Sequence, residues 1–505
     1  MIALALLSAV LAAAPAPDTP EAMEARASEH VVTEFERIGR RAPAPDPSLG
    51  AAARRLAREA LTLYPTGAPD LFTLTDAVSD SGAADPSPRT LVIRAWAHAH
   101  AIETFEARRD FNEEHASHYG LGVAFDDARA VIVLLLVDRK VELQPFPRII
   151  TAEKAARTLC ARWSAPMRSP EIYVTRPDGE VERASLLARA NGGPTFCSRL
   201  TFNAPGTYTV EVVGIGDAGP EVAALFLTDL GPRKQRDDRE PTREPTTVED
   251  ARPVLYERVN ALRRAFRLPE LTPDPTLEQV AQRYSARMGH EGFFAHVAPD
   301  GSSLTSRLQG SRYIRAGENL GQASGPLAAH FGIEHSPGHR KNLLDPAFHF
   351  MGVGVTFQEL GGRKQAIVTE VFTTASPGAP EPADPLADAY DTLMRHRSAL
   401  KLPPMARSEV LERLARQHAQ RALELDQPSA QPGEAPLHER VFAVLPDAGT
   451  AAVDFYVVGD PSAIPDSRSL ADATNNRVGV GVVRGDSKRF GRGQYWVAVI
   501  YAAVP

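Results

Sequence analysis

At 505 residues, with 43% hydrophobic and 24% charged side chains, the chain has a globular composition and is too long for one hydrophobic core. Lys+Arg 56 against Asp+Glu 63 gives a net charge of −7, with both signs spread along the chain and no basic stripe, which argues against nucleic acid as a partner. Pro 42 and Gly 36 call for many turns and several linkers.

Residues 1–14, MIALALLSAVLAAA, form an apolar run too short to span a bilayer, with Ala-x-Ala endings at Ala14 or Ala16. They read as a cleaved signal peptide, residues 1–16. An uncleaved N-terminal anchor is the alternative, because no Lys or Arg precedes the run. No Cys follows it, which excludes a lipoprotein anchor, and VIVLLLV at 131–137 reads as a buried strand. The expected location is secreted, periplasmic or cell envelope, with no transmembrane segment after cleavage.

A repeat organises most of the remaining chain. PDPSLGAAARRLARE (45–59) matches PDPTLEQVAQRYSAR (273–287), and PPMARSEVLERLARQHAQRAL (403–423) is a weaker third copy. Each has a Pro-containing turn and then apolar residues at helical spacing, such as Leu277, Val280, Ala281 and Tyr284. Amphipathic helices at 28–39, 252–266 and 387–399 precede the copies. Each copy closes on a strand pair with alternating glycines: YGLGVAF…AVIVLLLV (119–137), MGVGVTF…AIVTEVF (351–372) and VGVGVV…YWVAVIYA (478–502). That alternation predicts a strand whose backbone is approached closely on one face. Three copies of one α/β unit are expected, at 26–138, 250–374 and 386–505.

Residues 139–230 differ. EIYVTRPDGEVERASL (171–186) reads as strand, Pro-Asp-Gly turn and strand, and 199–230 continues with short strands. APGTYTVEV resembles phrases of bacterial Ig-like modules, so a small Ig-like β-sandwich is expected. Cys160 and Cys197 both fall in it, and in an exported chain they suit one disulfide, with two reduced buried thiols as the alternative. Linkers at 231–249 and 375–385, rich in Pro and charge, should be exposed and extended.

The central copy carries FFAHVAPDG (293–301), GENL (317–320), SPGHRKNLL (336–344) and MGVGV (351–355). These four blocks, in order and at this spacing, resemble the CAP superfamily (cysteine-rich secretory proteins, antigen 5 and pathogenesis-related proteins), in its bacterial YkwD-like branch. The resemblance implies an α-β-α sandwich with a cleft lined by His296, Glu318 and His339, with Asn319, Ser336 and Arg340 beside them. A second cleft Glu of eukaryotic members falls on Ser336 here, and a Trp of bacterial members on Ile333. The outer copies lack these blocks and are expected to be degenerate CAP-like domains. His438 is the trace of the first block in the C-terminal copy, and His98, His100, His115 and His118 read as solvated or turn residues.

Two imidazoles and a carboxylate suffice for an open divalent-metal site such as zinc, with His296, Glu318 and His339 as ligands. The same residues could be a polar network pinning a loop-rich fold. Hydrolysis would need a nucleophile: Ser302, Ser303 and Ser336 are candidates, but SPGHR reads as a turn, Ser336 as a helix cap, and neither G-x-S-x-G nor H-E-x-x-H occurs. Phe293, Phe294, Phe331, Phe348 and Phe350 read as core or as the lining of an apolar groove. The expectation is a non-catalytic binding or scaffold module for a lipid or small apolar ligand, or for an envelope protein or polymer. The alternative is a metal-assisted hydrolase of peptide or cell-wall polymer.

Overall fold

The computed structural model describes residues 19–62, 69–109, 115–152, 154–187, 194–232, 243–308, 315–360, 363–374, 382–427, 433–487 and 490–505. The expected signal peptide and most of the two linkers lie outside these residues. The chain divides into two compact units: residues 1–215 with 221–240, and residues 216–220 with 241–505.

The first unit opens with α1 (Pro20–Arg37), β1 (Ala44–Pro45), α2 (Pro47–Thr62), α3 (Leu71–Asp80), β2 (Arg89–Ala95), α4 (His98–Glu106), β3 (His118–Phe125) and β4 (Ala130–Val137). Its sheet runs β1-β3-β4-β2. Strand β4 is buried along its whole length, as the run 131–137 predicts.

The same unit continues with β5 (Val141–Leu143), β6 (Ile149–Ile150), β7 (Ala155–Trp163), β8 (Arg168–Thr175), β9 (Val181–Ala184), β10 (Thr195–Phe202), β11 (Gly206–Gly216) and β12 (Gly219–Leu230). They form a three-stranded sheet, β10-β7-β5, and a five-stranded sheet, β6-β12-β11-β8-β9, around one core that includes Leu159, Phe196, Val210 and Phe226. Cys160 and Cys197 face each other across β7 and β10 and form a disulfide, S–S 2.05 Å. The bridge joins neighbours in one sheet, rather than the two sheets.

The second unit holds two further copies of the α/β plan. The central one comprises α5 (Val248–Ala265), β13 (Thr272–Pro273), α6 (Pro275–Glu291), α7 (Leu304–Arg307), β14 (Ala316–Ala323), α8 (Pro326–His335), α9 (Pro337–Leu343), β15 (Phe350–Leu360) and β16 (Arg363–Thr373). The C-terminal one comprises α10 (Pro385–Ala399), β17 (Ala406–Arg407), α11 (Glu409–Leu425), α12 (Leu437–Val444), β18 (Thr450–Val458), α13 (Arg468–Ala471), β19 (Arg477–Ser487) and β20 (Gly491–Ala503). Their sheets, β13-β15-β16-β14 and β17-β19-β20-β18, repeat the order of the first.

The alternating glycines explain the shared geometry. A Cβ on Gly352 or Gly354 would lie 2.1 or 2.2 Å from backbone of α6, and Gly120, Gly122, Gly479 and Gly481 meet α2 and α11 in the same way. Only glycine lets the helix axis come this close to the strand. A second device is a buried arginine at the end of the first helix. Arg263 donates to the carbonyls of Pro269, Leu343, Asp345 and Phe348 at 2.7–3.2 Å. Arg397 does the same for Pro403, Leu470, Asp472 and Asn475 at 2.7–2.9 Å. Arg263 thus anchors the loop that follows α9 (Pro337–Leu343). In the first copy the matching position, marked by the bond from the Arg40 N–H to its carbonyl, is the buried Phe35.

Candidate functional site

Helix α6 ends on Gly292 in the left-handed conformation, φ 71°, which turns the chain sharply into the segment carrying His296. Glu318 and Asn319 are adjacent on β14, so the pleat sends them to opposite faces of the sheet. Two polar networks result.

On one face Glu318, 8% exposed, has both carboxylate oxygens engaged. Oε1 meets His296 Nδ1 at 2.9 Å, and Oε2 accepts from Arg307 Nη2 at 2.5 Å. The Arg307 guanidinium lies 3.3 Å from the centroid of the Tyr284 ring, and the Tyr284 hydroxyl donates to the Ala295 carbonyl at 2.6 Å. This holds the His296 segment against α6. His339 lies beside His296, with ring centroids 6.4 Å apart and planes 27° apart. Its Nδ1 is 2.7 Å from Ser336 Oγ. Burial pushes the His339 pKa down to about 3, helped by the neighbouring His296 and Lys341, so its imidazole is neutral at physiological pH.

On the other face Asn319, His330 and Glu370 are fully buried. His330 Nδ1 meets Glu370 Oε1 at 2.7 Å, Asn319 Nδ2 donates to Glu370 Oε2 at 3.1 Å, and Asn342 Nδ2 donates to Asn319 Oδ1 at 2.9 Å. Arg340, 9% exposed, donates to the Glu334 carbonyl at 3.2 Å.

Sequence reasoning missed Arg307, Tyr284, His330, Asn342 and Glu370. A lone Glu in the apolar strand AIVTEVF and a lone His in the apolar stretch LAAHF were the available signals. A charged residue inside such a run needs a buried partner.

The structure overturns some expectations and agrees with others. SPGHR is not a turn: Pro337 occupies the first position of α9, where its missing N–H costs nothing. Ser336 sits at the N-cap, but its hydroxyl makes no side-chain cap bond and instead reaches His339. Ser302 bonds Asp300 and Arg287 in a surface turn, and Ser303 precedes α7. Phe331 and Phe348 are core, so they line no open groove, whereas Phe294 is 44% exposed. His98 is not solvated: it stacks on Phe125 at 4.1 Å between centroids and contacts the Asp126 carbonyl. His100, His115 and His438 are exposed, and His118 contacts Ser117 Oγ.

The expected metal set does not fit this geometry. Among the described residues no group of three or more His, Cys, Asp or Glu side chains is placed to hold a metal ion. Glu318 already carries the Arg307 cation, and a divalent ion at the same carboxylate would have to displace or repel that guanidinium.

Residues 256–373 and 390–501 match the model of the cysteine-rich secretory protein family, CAP. The chain is 34% identical over 117 residues to the uncharacterized protein YkwD of Bacillus subtilis strain 168, covering 22% of this chain and 45% of that protein. It is 33% identical over 105 residues to the uncharacterized membrane protein YlbC of the same strain, covering 20% of this chain and 30% of that protein. The matched part is therefore less than half of either relative. Among solved structures, an extracellular protein containing a SCP domain from Bacillus anthracis is 20% identical, covering 43% of this chain and 82% of that one, TM-score 0.23. No helix among the described residues is long and apolar enough to cross a membrane. With two matched segments that share one sheet plan, the chain is a CAP-domain protein related to YkwD and YlbC.

Proposed function

We propose that this protein is an exported, non-catalytic binding module of the cell envelope or extracellular space, with the central cleft as its binding site. The observation that carries this reading is how the polar groups are divided. A nucleophilic triad needs one imidazole bridging a hydroxyl and an acid. Here Ser336 pairs with His339, while Glu318 pairs with His296, and the two rings stand 6.4 Å apart. Neither histidine links nucleophile to carboxylate, and Glu318 is further neutralised by Arg307. Each ring is held through Nδ1, so in this reading Nε2 of each is the atom that would meet a ligand. With Phe331 and Phe348 in the core, the cleft suits a polar envelope polymer or peptide better than a lipid.

The β-domain fits a scaffold role and an Ig-like assignment. Tyr208 at the start of β11 bonds back to the backbone of Asn203 and Ala204, as the tyrosine corner of such folds does.

The test uses the full chain. Co-sedimentation with purified peptidoglycan should fall at least tenfold in His296→Ala/His339→Ala, and anionic phospholipid vesicles should not be retained. Turnover of peptide or ester substrates that is lost in Ser336→Ala would replace this reading by a hydrolase.

A further inference from the structure

The start of α8 holds a carboxylate that comes from the linker. The helix begins at Gly325 and Pro326, so neither a capping side chain nor a proline N–H serves its first turn. The first free donors are the N–H groups of Leu327 and Ala328. They donate to Glu244 Oε2 at 2.8 Å and Glu244 Oε1 at 2.7 Å. A carboxylate placed there also meets the positive end of the helix dipole.

Gly325 shapes the seat of this carboxylate. Its backbone is extended, φ −161° and ψ 172°, a conformation open to any residue. Backbone conformation therefore does not demand glycine. The seat of Glu244 does: a Cβ at this position would lie 2.3 Å from Glu244 Cδ and 2.6 Å from Oε2, so an added side chain would push that carboxylate away from the helix start. The missing side chain is the cradle that the linker carboxylate fills. This end of the linker is consequently docked, contrary to the expectation that residues 231–249 are exposed and extended.

We propose that the start of α8 is a carboxylate-binding site filled in cis by Glu244, a latch that fastens the linker to the central domain. The latch reaches the cleft through continuous structure. Helix α8 carries His330, which pairs with Glu370, and runs into Ser336, which contacts His339. Holding its first turn holds the approach to both networks.

Hydrogen exchange and limited trypsin digestion of the full chain test this. Glu244→Ala should speed exchange of the Leu327 and Ala328 amides about tenfold or more, the loss of a charge-assisted bond at each. Cleavage after Arg243 should rise in parallel, while amides of β15 and β16 stay protected. Glu244→Gln should show a smaller effect in the same direction. Gly325→Ala leaves Glu244 intact but fills its cradle, and should open the linker to trypsin equally. Unchanged exchange at Leu327 and Ala328 in Glu244→Ala, or unchanged trypsin sensitivity in Gly325→Ala, would overturn the latch.

Discussion

The central and C-terminal CAP domains share a sheet register but not the His296–Glu318–Arg307 network. Gly352 pairs with Val371, which pairs with Glu318, and Gly479 pairs with Ile500, which pairs with Val453. The cleft carboxylate of one domain is therefore a valine in the other. In the first copy the same position, found through Gly120 and Leu135, is Thr90. One residue along, on the opposite face, Asn319 becomes Asp454. There polarity persists: Asp454 accepts from Ser467 and Ser469 at 2.5 and 2.9 Å, as Asn319 accepts from Asn342. The central and C-terminal domains keep a polar tie on one face of this strand and differ on the other, whereas the first copy has the buried Leu91 at the position of Asn319. What Glu318, His296 and Arg307 do is thus specific to the central domain.

The largest effect that probes this division should come from the arginines both domains keep. Arg263→Ala or Arg397→Ala strips four carbonyls of a buried donor and should destabilise its own domain by about 3–5 kcal/mol in denaturant unfolding. A loss in one domain but not the other would break the equivalence of the two arginines.

Glu318→Gln should cost less, about 2 kcal/mol, because it leaves Arg307 without its counter-charge in a largely buried position. Val453→Ala at the matching, half-buried site should cost about 1 kcal/mol or less, since it removes apolar contact alone. A larger effect at Val453 than at Glu318 would mean the cleft network contributes nothing.

Comparable to or smaller than the Glu318 effect is a pH dependence. The folded His339 binds its proton only near pH 3, whereas the unfolded residue binds it near its ordinary value of 6.5. Between these limits the unfolded chain holds more protons, so stability is full above pH 6.5 and falls as pH drops towards 3. His339→Gln should flatten the acid limb of central-domain unfolding by on the order of 1–2 kcal/mol. The C-terminal domain retains its own acid sensitivity through His418, whose pKa burial also lowers.

The repeat was legible in the sequence because glycine alternation and helical apolar spacing are local signals with direct steric causes. His296, Glu318 and His339 were legible through their turn-forming neighbours and family blocks. Their pairing was not. Arg307 reaches Glu318 from α7, and His330 and Glu370 meet between α8 and β16, contacts that tertiary register alone creates. The N-terminal half of α9 was misread because Pro-Gly signals a turn, while Pro at a helix start signals the opposite.

A polar set that serves binding rather than the fold is tested most directly by replacing the Glu318–Arg307 ion pair with apolar side chains, valine being what the neighbouring domain carries at the Glu318 position, in the full-length variant Glu318→Val/Arg307→Leu. Unfolding followed by domain-resolved hydrogen exchange should stay cooperative and within about 2 kcal/mol of the parent, because the buried ion pair is replaced by apolar groups on both sides. Retention on purified peptidoglycan should fall at least tenfold. A central domain that no longer folds, or one that folds and still binds as the parent does, would contradict a binding role for the cleft.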